Sequence, residues 1–160
     1  MMNLEEQIVL ELQQRNQTLT TAESCTGGLL AGRILNVSGA SAVYNEGYIT
    51  YSNEAKERLL GVLHNTLERY GAVSKETAIE MAKGAALAAN ADAALCTTGI
   101  AGPTGGTPKK PVGLVYVGCY YNGEITVEEC RFHGNREENR SMAVEAALQL
   151  IWRCLGVSES

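Results

Sequence analysis

The segment QTLTTAESCTGGLLAGRIL, residues 17–35, changes character halfway along. Its first part, QTLTTAE (17–23), is rich in β-branched threonine and predicts a short strand, because branched side chains suit a pleated surface. From Thr26 to about Leu35 the pattern is helical. Between the two lie a carboxylate, a hydroxyl, a thiol and a second hydroxyl: Glu23, Ser24, Cys25 and Thr26, followed by Gly27 and Gly28. A strand feeding straight into a helix is the building unit of a layered α/β fold.

The same alternation runs outward from this segment. Leu4, Ile8 and Leu12 fall at four-residue steps and predict an amphipathic helix over 4–15. Beyond a loop (39–47), GYITYS (47–52) alternates like a strand, and NEAKERLLGV (53–62) is helical. GAVS (71–74) reads as a turn whose Ser74 caps a helix over 75–89 with a face of small residues for packing on a sheet. A buried strand is expected over 91–99, then strands over 112–121 and 124–132 around Asn122-Gly123, a strong hairpin signal. A last helix over 136–155 follows. The expectation is one α/β domain over 1–160, a three-layer α/β/α arrangement with a mixed sheet.

Composition narrows the function classes. The 160 residues carry a net charge of −5 without a basic block, which argues against nucleic-acid and membrane-surface partners. The start, MMNLEEQIVLELQQ, is acidic where a secretory signal would be basic, so export is not expected. Five scattered cysteines without a C-x-x-C pair read as reduced thiols of a cytoplasmic protein. His64 and His133 stand in no ligand-like spacing, so no metal site is predicted.

Three places could carry chemistry. Ser24, beyond a strand's carboxyl end and beside a helix N-terminus, suits a nucleophile or an anion contact; equally, Ser24 or Thr26 could simply cap the helix. Cys25 is a rival nucleophile, or a buried structural thiol. In TYSNEAK (50–56), a Ser52 cap would put Lys56 in the first turn of its helix, the end where the dipole disfavours a cation. Such a lysine is either solvated or lowered in pKa, and a neutral amine beside a serine hydroxyl is a general base. Tyr51 is a core aromatic or a hydroxyl assisting that pair. Finally, TTGIAGPTGGTPKKPVG (97–113) holds all three prolines of the chain and is rich in glycine. It is either a mobile connection or a nest of N–H groups at another strand end; it fits neither a P-loop nor a dinucleotide fingerprint.

TTAESCTGGLLAGRI, GYITYSNEAKERLLGV, GAVSKETAIEMAKG and TGIAGPTGGTPKKPVGLVYVG resemble the signature blocks of the CinA C-terminal domain family, over about residues 5–153. Stand-alone members of that family are nicotinamide-nucleotide amidases. The resemblance implies an α/β/α domain that self-associates, as a homodimer or higher homo-oligomer. It implies hydrolysis of nicotinamide mononucleotide to nicotinate mononucleotide and ammonia in NAD salvage, without a cofactor. It makes Ser24 the nucleophile, Lys56 its base and Tyr51 the assisting hydroxyl. The expected substrate contacts are Glu23, Thr26, Gly27, Gly28, Thr98, Gly99, Gly102, Gly105 and Gly106, with Arg140 facing the phosphate. The chain departs from the family pattern at SGAS (38–41), at Thr104 and at GNR (134–136), where G-D-R is frequent. Two further readings stand beside this one: a non-catalytic nucleotide-binding module, and a serine amidase of another small amide.

Overall fold

A computed structural model describes residues 1–157; the last three residues of the expected 1–160 domain lie outside the described part. In chain order the elements are α1 (Leu4–Arg15), β1 (Leu19–Glu23), α2 (Leu29–Leu35), β2 (Tyr48–Ile49), α3 (Asn53–Leu60), α4 (His64–Tyr70), α5 (Lys75–Ala89), β3 (Ala93–Gly99), β4 (Leu114–Tyr121), β5 (Glu124–Arg131) and α6 (Arg136–Leu155). The five strands form one mixed sheet in the order β2-β1-β3-β4-β5. β1 pairs in parallel with β2 and β3, and the β3-β4-β5 part is antiparallel. The hairpin between β4 and β5 turns at Asn122 and Gly123, both at positive φ (49° and 84°), as a two-residue turn with the right twist requires.

Helices cover both faces, as the sequence predicts. On one face Ile8 and Leu12 of α1, Leu30 and Ile34 of α2, and Leu148 and Ile151 of α6 pack with Leu19, Leu95 and Val117. On the other, Leu60, Leu67, Met81, Ala82 and Ala85, from α3 to α5, pack with Ala22, Ala94 and Cys96. β1, inside the sheet and covered on both faces, is uniformly interior despite two threonines. Thr20 donates to the Glu46 carbonyl and Thr21 shares a hydrogen bond with Tyr44, which satisfies both hydroxyls.

The structure differs from the expectation in three places. The helix after β1 starts at Leu29, not Thr26, because residues 24–28 form a turn with Gly27 and Gly28 at positive φ. The strand after the loop is two residues long. The helix α4 has no counterpart in the sequence reading. It lacks a side-chain cap and buries only Thr66 and Leu67, too little to show an apolar period.

Close packing of α3 on α5 fixes the position of α3, the helix that carries Lys56. A Cβ at Gly84 would lie 1.8 Å from the Leu60 carbonyl oxygen, at the end of α3. Alanine normally gains up to ~1 kcal/mol over glycine inside a helix. Here overpacking against backbone outweighs that gain, at roughly 1–3 kcal/mol. Gly84→Ala should therefore lower the urea midpoint and destabilise by about 2 kcal/mol; a rise in the midpoint would contradict the packing assigned to these helices.

Candidate active site

Where β1 ends, the two-residue period of a strand sends neighbouring side chains to opposite faces of the sheet. Glu23 turns toward α2 and Ser24 toward α3. The Glu23 carboxylate is buried and accepts from the Thr26 hydroxyl (2.6 Å) and the N–H groups of Gly28 (3.1 Å), Leu30 (2.9 Å) and Ala31 (3.0 Å). The helix is thus capped by Glu23, not by Ser24 or Thr26, and a carboxylate at this end also suits the dipole. Glu23 is correspondingly not free to hold a substrate, since both its oxygens are engaged with the turn. Thr26 is likewise turned inward, its hydroxyl 2.8 Å from that of Thr97. The N–H of Gly27 donates to the Ser24 carbonyl, so neither glycine N–H points at a ligand.

Ser24 is left facing the first turn of α3. Ser52 caps that helix, its hydroxyl accepting from the Ala55 N–H at 3.0 Å. Lys56 is 1% exposed, and its Nζ donates to Ser24 Oγ at 3.0 Å and to the Thr50 carbonyl at 2.7 Å. Among the described residues no carboxylate forms a salt bridge with it. Burial without an opposing charge pushes the amine down from its ordinary 10.5 to about 8. Lys56 is therefore a desolvated amine poised near neutrality, not a solvated surface lysine. Burial acts the other way on Cys25, raising its thiol to about 11, so that it stays protonated and is a poor nucleophile.

The pair opens onto a cleft of about 240 Å³ whose walls include Tyr51, Asn53, Thr98, Gly99 and Arg136. Tyr51 is 64% exposed and accepts from Arg136 Nη2 at 3.1 Å, while Arg136 Nη1 donates to the Gly102 carbonyl at 2.9 Å. Tyr51 thus stands at the mouth and makes no hydrogen bond to Ser24 or Lys56, against the expectation that its hydroxyl assists them. Arg140 also departs from expectation. Its Nε donates to the Cys25 carbonyl (2.9 Å) and its Nη2 to that of Thr26 (3.1 Å), so it braces the turn and does not line the cleft. Thr98 is in the cleft wall, its hydroxyl donating to the Ala72 carbonyl at 2.7 Å. Gly99 is wall as well, and Gly102 contributes its carbonyl to Arg136. Gly105 and Gly106 fold back against Ile100 and Val112, outside the cleft.

Arg136 and Asn53 were not among the residues the sequence singled out. Arg136 is the first residue of α6, whose Asn135 caps reciprocally with Glu138. A cation at that end of a helix is disfavoured by the dipole. The same rule that drew attention to Lys56 therefore marks Arg136, and helical spacing alone cannot tell it from Arg140.

The fold and site define a class: an α/β/α domain with a buried serine–lysine pair beyond the carboxyl ends of its parallel strands. The chain belongs to the CinA C-terminal domain family, whose model matches residues 1–155. A CinA-like protein of Kosmotoga olearia is 54% identical over 96% of this chain, and a competence-damage inducible protein of Thermoanaerobacter sp. is 57% identical over 94%. The chain spans 37% of the length of each of these relatives. The crystal structure of a competence/damage inducible protein from Agrobacterium tumefaciens superposes with a TM-score of 0.93 at 42% identity, covering 96% of this chain and 94% of that one. A CinA superfamily protein from Escherichia coli gives 0.92 at 36% identity, covering 95% and 88%. Among the described residues no helix is long and apolar enough to cross a membrane.

The lowered pKa of Lys56 has a thermodynamic signature. Between about 8 and 10.5 the unfolded chain binds this proton and the folded protein does not, so stability rises with pH across that window. Below it, the full cost of burying the charge is present. Lys56→Met should be more stable than the parent at pH 7, by on the order of 3 kcal/mol, and the gap should narrow by pH 10. Urea unfolding of both proteins at the two pH values measures it; a constant gap would show that Lys56 is not desolvated as a cation.

Proposed function

We propose that this chain is a serine amidohydrolase that converts nicotinamide mononucleotide and water to nicotinate mononucleotide and ammonia, with no metal or organic cofactor. The observation that carries the reading is the buried Lys56 amine, 3.0 Å from Ser24 Oγ and without a carboxylate partner. An amine held this way has one evident use, to take a proton from the hydroxyl it touches. The resemblance described above supplies the substrate.

In this reading neutral Lys56 accepts the Ser24 proton as Oγ forms a bond to the carboxamide carbon. The N–H groups of Cys25 and Thr26 donate to no other residue among those described, and they are the candidates to hold the developing oxyanion. Collapse breaks the C–N bond, and Lys56 passes its proton to the departing nitrogen, which leaves as ammonia. Water then gives a proton to Lys56 and attacks the acyl carbon; the C–Oγ bond breaks, and Ser24 recovers its proton. The cleft is small beside the ~300–1,000 Å³ of ordinary ligand sites. It suits the amide end of the substrate, leaving ribose and phosphate toward the mouth, where Arg136 has guanidinium donors beyond the two it uses. Action in the cytoplasm and self-association belong to the same reading.

Ammonia release from nicotinamide mononucleotide, compared with nicotinamide and other amides, tests the reaction. Ser24→Ala and Lys56→Ala should each lose at least ~10³-fold in kcat with the fold intact. The parent kcat/KM should rise with pH through about 8 as Lys56 loses its proton. Wild-type rates in either variant would sink the mechanism. Nucleotide bound by the parent without ammonia release would make the domain a binding module.

Arg136→Ala should raise KM for the nucleotide by ~10-fold or more, the scale of one charge-assisted contact. It should leave the rate on the uncharged nucleoside nearly unchanged. An equal loss on both substrates would assign Arg136 to the architecture of the mouth instead of to phosphate.

A further inference from the structure

Thr50 is fully buried, and its Oγ1 is the one buried side-chain oxygen among the described residues that has no hydrogen-bond partner. Such a group costs free energy unless it is put to use. Its position is informative. The β1–β2 register sets Ala22 opposite Tyr48 and Glu23 opposite Ile49, and the Thr50 N–H continues the ladder to the Glu23 carbonyl. With alternation, Thr50 follows Tyr48 to the face of the sheet that Ser24 and Lys56 share. The carbonyl of Thr50 itself already holds Lys56 Nζ at 2.7 Å.

A protonated lysine has three N–H donors. Lys56 Nζ has two acceptors, Ser24 Oγ and the Thr50 carbonyl. We infer that the Thr50 hydroxyl is the acceptor for the remaining N–H when Lys56 carries the proton taken from Ser24, which makes Thr50 a positioning residue for the general base. Rotation about χ1 between staggered wells is the motion that would bring the hydroxyl to the ammonium. The bond is worth more to the charged amine than to the neutral one, so it stabilises the protonated form that acylation produces.

The other ionisable groups around Lys56 are otherwise occupied. Glu23 is bonded to the amides that open α2, and Glu80 of α5 accepts from the Leu63 N–H and the Thr66 hydroxyl. Arg136 and Tyr51 pair at the mouth, Lys83 of α5 is exposed, and the Cys25 thiol stays neutral. None of these groups is left to take that hydrogen bond, and the unpartnered acceptor belongs to the residue whose carbonyl already holds Lys56 Nζ.

This inference rests on Lys56 being the base of the proposed amidase, and its test separates the two. Thr50→Val keeps the shape and removes the hydroxyl; Thr50→Ser keeps the hydroxyl. The 160-residue parent and its variants, labelled with ¹³Cε-lysine, are titrated by NMR, with Lys56→Met assigning the signal. Above the Lys56 midpoint, where the amine is neutral, Thr50→Val should melt at or above the parent temperature, because there it removes an unpaired buried hydroxyl. It should lower the Lys56 midpoint by about one pH unit, a ~10-fold loss of proton affinity, and reduce kcat similarly with KM unchanged. Thr50→Ser should restore the midpoint and the rate, and Thr50→Ala, should valine disturb packing, should behave as valine is expected to. A folded Thr50→Val with the parent midpoint overturns the inference. A shifted midpoint with no ammonia released by the parent upholds it and overturns the amidase reading.

Discussion

A primary amine kept out of water without an opposing charge is the constraint around which this domain is arranged. Burying Lys56 costs stability wherever the amine is protonated, and a hydrophobic residue in its place would remove that cost. What offsets it is local: one hydroxyl, one backbone carbonyl, and a helix packed so tightly on its neighbour that Gly84 cannot carry a side chain. A depressed amine in contact with a hydroxyl, facing a cleft, is the kind of perturbed group that marks a candidate functional site.

The end of β1 is the second determinant, and it serves the first. Glu23 and Ser24 are adjacent in sequence, yet they face opposite sides of the sheet. One organises the start of α2 and the other meets Lys56. Arg140 adds two hydrogen bonds to the carbonyls of Cys25 and Thr26. The position of Ser24 thus follows from a turn braced by Glu23 on one side and Arg140 on the other, in which residues that look functional in sequence are structural. Arg136, four residues earlier on the same helix, reaches the mouth instead. The same division separates Gly99 and Gly102, which form or support the cleft, from Gly105 and Gly106, which do not.

Most of the fold was legible in the sequence because its signals are local. The Ser52 and Ser74 caps, the Asn122-Gly123 turn and the apolar periods of α1, α5 and α6 rest on residues a few positions apart. The short elements were not legible. β2 contributes two paired residues, and α4 buries too little surface to produce a period. Within the site, Ser24 and Lys56 stood out because each breaks a local rule: a hydroxyl beyond a strand end, and a cation at the wrong end of a helix. Arg136 breaks the second rule as well, and only its competition with Arg140 concealed it.

The sequence by itself determined the class of fold, the order and approximate bounds of the long elements, and the two residues at the centre of the site. The tertiary structure alone decided which side chains face the cleft. Strand register sends Glu23 away and brings Thr50 under the lysine. The exposure of Tyr51 and the bracing by Arg140 follow from contacts between residues up to 115 positions apart. The reason is physical: capping and periodicity act within one turn or one strand, whereas desolvation and hydrogen-bond partnership depend on which elements the core brings together.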